Sequence, residues 1–105
     1  MPVDAADGRP RLVVFFSSRS GQCRRTDAQL ARVLQRRRNH ATFAIVRVDV
    51  DKRPDLAERF AVEALPTYVV IDGKRVRGRL QQPASSRDIQ AFLAPWLRST
   101  ISSHA

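Results

Sequence analysis

The chain has 105 residues, 43% of them hydrophobic, and a formal net charge of +9 at pH 7. This length and composition suit one folded domain with a modest core and exclude a disordered chain. A single cysteine excludes an intramolecular disulfide, and the two histidines are isolated from it, so we expect no metal and no cofactor.

The charge pattern and the first residues bear on partners and location. Residues 1–10 show no cationic start followed by an apolar run, and arginine interrupts every apolar stretch. We therefore expect no secretory signal, no membrane span, a cytoplasmic location and a monomer. The excess of arginine over lysine is typical of a GC-rich genome, and the bases are spread along the chain without an aromatic platform, which disfavours nucleic acid. The net charge nevertheless favours anionic partners.

The first two predicted elements are a strand and a helix. Residues 11–16, RLVVFF, are apolar and partly β-branched, which favours a strand buried on both faces. A helix is predicted from near Gln22 to a stop at Asn39. Its core-facing stripe has helical spacing and consists of Cys23, Leu30, Val33 and Leu34.

A strand, a short helix and a hairpin are predicted next. The stretch 42–51, TFAIVRVDVD, alternates at its end as a strand does. Proline at the first turn and nearby acids predict a short helix over 54–60. Residues 67–71 and 74–80 are predicted strands joined at Asp72-Gly73, a strong hairpin signal.

The last predicted element is an amphipathic helix within 85–97, which begins with serine caps and which Pro95 should end early. The order β-α-β-α-β-β-α predicts an α/β fold with one four-stranded mixed sheet, a parallel first crossover and helices on both faces. We expect one domain over 11–98, an N-terminal extension over 1–10 and a flexible tail over 99–105.

The turn SSRSGQC, residues 17–23, carries the most suggestive chemistry. A cysteine at a helix N-terminus lies near unpaired amides and the positive end of the helix dipole, which stabilise a thiolate. Two interpretations of Cys23 stay open: a small buried hydrophobic residue, or a single reactive thiol assisted by Arg24 and Arg25. Ser20 stands where a second cysteine would complete a C-x-x-C pair, and its ordinary role would be a helix N-cap.

These motifs, in this order, resemble the thioredoxin family over roughly residues 11–97. The most specific part is VDVDKRPDLAERFAVEALPTYVVIDGK, residues 48–74. The resemblance implies a minimal thioredoxin-like fold, a cis-proline at Pro66, and a Leu65 backbone that pairs with a bound substrate strand. Only ten residues precede the first strand, so the additional N-terminal strand and helix of full-length thioredoxins are expected to be missing.

The resemblance also implies that the family's active site is degenerate in this chain. The family's nucleophilic cysteine corresponds to Ser20 and its resolving cysteine to Cys23, and serine forms no disulfide. The other matched positions depart as well: Gly21-Gln22 for Gly-Pro, Arg19 for the tryptophan, Val14 for the buried acid, and Arg47 for the lysine that accompanies it. A dithiol cycle is therefore not expected.

Two functions remain compatible with this pattern. In the first, a groove binds extended segments of partner proteins by strand addition, and its residues are Gly21, Gln22, Leu65, Pro66 and Thr67. In the second, Cys23 forms a mixed disulfide with glutathione or a client protein. Arg19, Arg24 and Arg25 at the rim would receive carboxylates in either case. A third explanation is that Ser20 results from a Cys→Ser change in a genuine thioredoxin-type protein-disulfide oxidoreductase.

Overall fold

A computed structural model describes residues 9–35 and 42–97, and these residues form four strands and three helices. In chain order the elements are β1 (Arg11–Phe16), α1 (Gly21–Gln35), β2 (Ala44–Asp49), α2 (Pro54–Arg59), β3 (Thr67–Asp72), β4 (Arg75–Gln81) and α3 (Ser86–Leu93). The predicted order is confirmed. The predicted helix stop at Asn39 and the tail over 99–105 lie outside the described residues, as does most of the extension over 1–10.

The four strands form one mixed sheet in the order β2-β1-β3-β4. β1 runs parallel to β2 and antiparallel to β3, and β3 runs antiparallel to β4. The sheet contains one parallel and two antiparallel pairs, so it is the predicted four-stranded mixed sheet. The parallel pair is joined through a helix and the last antiparallel pair by a hairpin. Gly73 in the hairpin turn has a φ of +64°, the left-handed conformation that glycine adopts without steric cost.

The helices cover both faces of the sheet. Side chains alternate along β1, so Leu12 and Val14 pack on one face while Val13 and Phe15 pack on the other. The first face is covered by α1 and α3, which contribute Leu30, Val33, Leu34, Ile89 and Leu93 to this buried cluster. The second is covered by α2 through Leu56. β1 is therefore buried on both faces, as its apolar run predicts.

The helix termini follow the signals in the sequence. The side chain of Ser85 accepts a hydrogen bond from the backbone amide of Asp88 at the start of α3. α3 ends at Leu93, two residues before Pro95, so the predicted early stop is confirmed. Trp96 and Leu97 lie beyond the helix but still pack against the core.

The sheet contains a β-bulge in β4 that the sequence did not predict. The pairing of β3 with β4 shifts between Val70 and Ile71, which pair with Gly78 and Val76. The shift leaves Arg77 as an extra residue in β4, a β-bulge in the exposed edge strand.

Among the described residues, no helix is both long enough and apolar enough to cross a membrane.

Candidate functional site

The candidate site lies at the edge of the sheet where β1 and β2 end and β3 begins. Phe16, the last residue of β1, pairs with Asp49, and Phe15 pairs with Thr67 at the start of β3. Because β3 is antiparallel to β1, its first residues lie beside the last residues of β1. This edge therefore brings together the β1–α1 turn, the β2–α2 turn and the Leu65–Pro66 peptide bond, which is cis.

Ser20 and Cys23 lie in the first turn of α1. Ser20 Oγ accepts a hydrogen bond from the Cys23 backbone amide at 3.3 Å, so Ser20 is the N-cap of α1. The Cys23 side chain lies on the core-facing stripe and is 6% exposed, as its spacing from Leu30 predicts. The only cysteine of the chain is thus covered by protein, while its helix begins at the candidate site.

Tyr68 fixes α1 on the sheet at this end. Its hydroxyl donates to the backbone carbonyl of Thr26 at 3.3 Å, and Thr26 Oγ1 donates to the Gln22 carbonyl at 2.8 Å. Burial raises the pKa of Tyr68 above its ordinary value, so the hydroxyl remains a donor at neutral pH. These two bonds hold the first turns of α1, and with them Gln22, in a defined position above the sheet.

Arg19 does not extend freely from the rim. Its Nη2 donates to Asp51 Oδ1 at 2.8 Å, and Ser17 Oγ donates to Asp51 Oδ2 at 2.6 Å. The Arg19 backbone amide in turn donates to Ser17 Oγ at 3.2 Å. The hydrogen bond from Arg19 has the largest effect on the pKa of Asp51 and, with the bond from Ser17, holds it below its ordinary value. The positive charge of Arg19 at this edge is therefore already paired.

A groove opens between α1 and the connection from β4 to α3. Its volume is about 310 Å³, and its walls are Gln22, Arg25, Thr26, Gln29, Pro83 and Ala84. The residue before Pro83, Gln82, donates its backbone amide to the Pro66 carbonyl at 2.8 Å. The groove is therefore connected to the cis-proline through Gln82 and includes Gln22, one of the predicted binding residues, whereas Leu65, Pro66 and Thr67 are not among its walls.

Cys23 opens onto a different recess, which lies between α1 and the ends of β1 and β2. This recess has a volume of about 220 Å³ and is lined by Phe16, Ser17, Ser18, Cys23, Arg24, Asp27 and Arg47. Arg47 Nη1 donates to Asp27 Oδ1 at 2.6 Å, and the guanidinium lies 5.2 Å from the centre of the Phe16 ring. The hydrogen bond to Asp27 raises the pKa of Arg47, which is partly exposed.

The remaining predicted residues occupy two kinds of environment. Thr67 is fully buried, and its Oγ1 donates to the Ala64 carbonyl at 2.6 Å, so its side chain faces the protein interior. Leu65 is half-buried and Pro66 is buried, whereas Gly21 is exposed, and a β-carbon added to it would meet no atom within 4 Å. Within residues 9–35 and 42–97, no three His, Cys, Asp or Glu side chains form a group that could hold a metal.

Comparison with other proteins identifies the fold family. The family model described as Thioredoxin matches residues 3–95, which is most of the chain. This protein belongs to the thioredoxin family. A thioredoxin of Mycolicibacterium smegmatis is 31% identical over 89 residues, covering 81% of this chain and 80% of that protein. The structure of the germline-specific thioredoxin Deadhead from Drosophila melanogaster has a TM-score of 0.75 at 22% identity, covering 88% of this chain and 85% of that one.

A longer relative shares the same region. The bifunctional thioredoxin reductase/thioredoxin of Mycobacterium leprae is 31% identical over 88 residues, which are 80% of this chain. The match covers only 19% of that protein. The chain thus spans about a fifth of this curated relative.

Val14 and Arg47 stand where the thioredoxin resemblance places a buried acid and its lysine. Val14 packs in the apolar core with Leu12. Arg47 is partly exposed and pairs with Asp27 of α1. The Arg47 guanidinium therefore does not lie unpaired in the interior.

Two residues at this edge were missed by the sequence analysis. Asp51 was recognised only as a residue at the end of a strand, and its pairing with Arg19 gave no local signal. Gln82 has a φ of +46°, a left-handed conformation that glycine or asparagine usually adopts, so its residue type did not indicate the turn. The only signal was Pro83, which marks the end of β4.

Proposed function

We propose that this protein is a binding module of the thioredoxin family, which holds extended segments of partner proteins beside Pro66 and runs no dithiol cycle. Gly21 and Gln22 would form one side of the site, and the backbone of Leu65, Pro66 and Thr67 the other. In strand addition the partner would form backbone hydrogen bonds with Leu65, which precedes β3, and the neighbouring groove would supply side-chain contacts. The protein would be located in the cytoplasm, where a lone reduced thiol is normal.

The observation that carries the proposal is the separation of the groove from the thiol. The groove adjoining Pro66 is lined by Gln22 and Arg25, whereas Cys23 lines the recess on the side of β2 and is 6% exposed. A segment in the groove would therefore meet polar side chains and backbone, not sulfur. Ser20 beside it offers a hydroxyl, which forms no disulfide.

The charge around the groove favours acidic segments. Arg24 and Arg25 are exposed, and within the described part of the chain neither has an ion-pair partner. Arg19, in contrast, is neutralised by Asp51. We therefore expect Arg25 in the groove wall, more than Arg19, to receive a partner's carboxylates.

The test is an NMR titration of the ¹⁵N-labelled protein with a blocked ten-residue peptide of alternating valine and glutamate. Gly21→Phe should weaken binding by at least about ten-fold, equivalent to about 1.4 kcal/mol, because the ring covers the site. The variant should still fold, since an added β-carbon at Gly21 meets no atom within 4 Å. Ala28→Phe, at an exposed position of the same helix, is the matched control and should bind like the unmodified protein.

Binding should shift the amide resonances of Gln22, Leu65 and Thr67. Absence of shifts up to millimolar peptide would contradict the proposal. Equal loss in Gly21→Phe and Ala28→Phe would contradict the location of the site.

A second function, single-thiol exchange, is favoured by one observation: Cys23 lines a recess that also contains Arg24 and Arg47. In this reaction the Cys23 thiolate attacks one sulfur of oxidised glutathione, a disulfide forms between Cys23 and that glutathione, the original disulfide breaks, and the second glutathione leaves as a thiolate that takes a proton from water. Arg24 would attract a carboxylate of the tripeptide, whereas Arg47 is already paired with Asp27.

Intact mass spectrometry of the folded protein after exposure to oxidised glutathione distinguishes this reaction from binding alone. Stoichiometric addition at Cys23 supports exchange, and an unmodified chain contradicts it. Catalytic reduction of insulin disulfides by the unmodified protein with added dithiothreitol would contradict binding alone, because it requires attack by the Cys23 thiolate.

A further inference from the structure

Gln82, the residue that follows β4, holds both carbonyl groups that flank the cis bond. Its backbone amide donates to the Pro66 carbonyl at 2.8 Å. Its side-chain Nε2 donates to the Leu65 carbonyl at 3.4 Å. The second contact involves the backbone group that, under the proposed function, a bound segment would use.

Strand addition at Leu65 requires a backbone N–H of the partner to reach the Leu65 carbonyl oxygen. The Gln82 amide already donates to that oxygen. We infer that Gln82 is an intramolecular competitor for the Leu65 carbonyl and determines which segments bind and how tightly; this inference rests on the proposed function. A carbonyl oxygen has two acceptor positions and the Gln82 amide occupies one of them, so a partner N–H directed at that position must displace the glutamine amide.

The two parts of Gln82 are held differently, which makes such a displacement feasible. The backbone is fixed by the short bond to Pro66 and by its left-handed conformation, with φ at +46°. The side chain is exposed, and its contact with Leu65 is long. The amide can therefore leave the carbonyl and be solvated by water while the turn remains in place.

The same competition selects among partners. A segment with a free backbone N–H opposite Leu65 replaces the hydrogen bond that it displaces. A segment with proline at that position cannot donate, so it leaves Gln82 in place or leaves the carbonyl without a partner. The site should therefore discriminate against proline at one position of the bound segment.

The experiment compares Gln82→Met with Gln81→Met, using the peptide of alternating valine and glutamate. Methionine keeps the length of the side chain but has no donor, and Gln81 is an exposed neighbour in β4. Gln82→Met should bind the peptide roughly three- to ten-fold more tightly than the unmodified protein, the range of one net hydrogen bond. Gln81→Met should bind it unchanged.

N-methylation of the peptide, one position at a time, identifies the hydrogen bond itself. The gain in Gln82→Met should disappear for the peptide methylated opposite Leu65 and persist for the others. Equal or weaker binding by Gln82→Met, when the unmodified protein binds, overturns this inference alone. Absence of binding by every form overturns the proposed function together with it.

Discussion

Restoring a second thiol at position 20 tests the geometry of the site most directly. Ser20 is the N-cap of α1, and Cys23 is the third residue of the helix. The Cys23 backbone amide donates to Ser20 Oγ at 3.3 Å. Residues in this relation, one turn apart at a helix start, satisfy the Cα separation that a disulfide needs. Ser20→Cys should therefore allow a disulfide between positions 20 and 23.

The stability of the variant follows from two opposing contributions. Loss of the serine cap costs about 1 kcal/mol of the free energy of unfolding. Closing a loop of four residues by a disulfide contributes about 2 kcal/mol in the chain-entropy model. The reduced variant should thus be about 1 kcal/mol less stable than the unmodified protein, and the oxidised variant about 1 kcal/mol more stable. Ser20→Ala isolates the cost of the cap and should match the reduced variant.

The assay combines thiol counting after mild oxidation with urea titration of the oxidised and reduced forms. The oxidised variant should have no free thiol, and with added reductant it should reduce insulin disulfides. Turnover should be slow, because Val14 supplies no proton acceptor near Cys23. Two persistent thiols in the folded, oxidant-treated variant would refute the geometry assigned to this turn.

Three further substitutions test the packing and the ion pair. Leu93→Ala removes a side chain with no exposed surface and should lower the free energy of unfolding by about 2 to 5 kcal/mol in urea titration; a loss below about 1 kcal/mol would contradict its place in the core. Gly78→Ala places a β-carbon 3.1 Å from Phe92 Cε1, so the ring must shift slightly; we expect this shift to offset the gain of about 0.5–1 kcal/mol that alanine has over glycine in a strand, and the full gain would show that the ring moves freely. Asp51→Asn should be less stable than the unmodified protein at neutral pH but not in acid. The pKa of Asp51 is lowered in the folded state, so its contribution is complete above the ordinary aspartate pKa and is lost as the pH falls through the folded-state value; a difference that persists at pH 1 would contradict this origin.

The arrangement of strands and helices could be predicted because each element carries its own local signal. The apolar run of β1 predicts burial on both faces, and the Asp72-Gly73 pair predicts the hairpin. Proline at position 95 predicts the end of α3. The bulge at Arg77 had no such signal, because a shift in pairing depends on how β4 meets β3 and not on the residues of β4 alone.

The candidate site was predictable only where spacing along one element decides the outcome. The N-cap role of Ser20 and the inward direction of Cys23 follow from spacing along one helix. The side-chain partners do not, since they join residues distant in sequence: Arg19 and Asp51 are 32 positions apart, and Gln82 and Leu65 are 17 apart. A charged or amide side chain has several partners of suitable chemistry, and only the folded strands determine which one is within reach.

This difference between backbone and side chains has a consequence for function. The edge that holds the site is created by strand ends, and those depend on core residues such as Phe15 and Val69, which are buried beneath α2. The polar contacts at the edge contribute little to that core, because Asp51 and Gln82 lie at the surface. Substitutions at these two positions should therefore change what the edge binds while leaving the sheet intact, and their cost in stability should be limited to the surface contacts that they remove, such as the ion pair of Asp51 with Arg19.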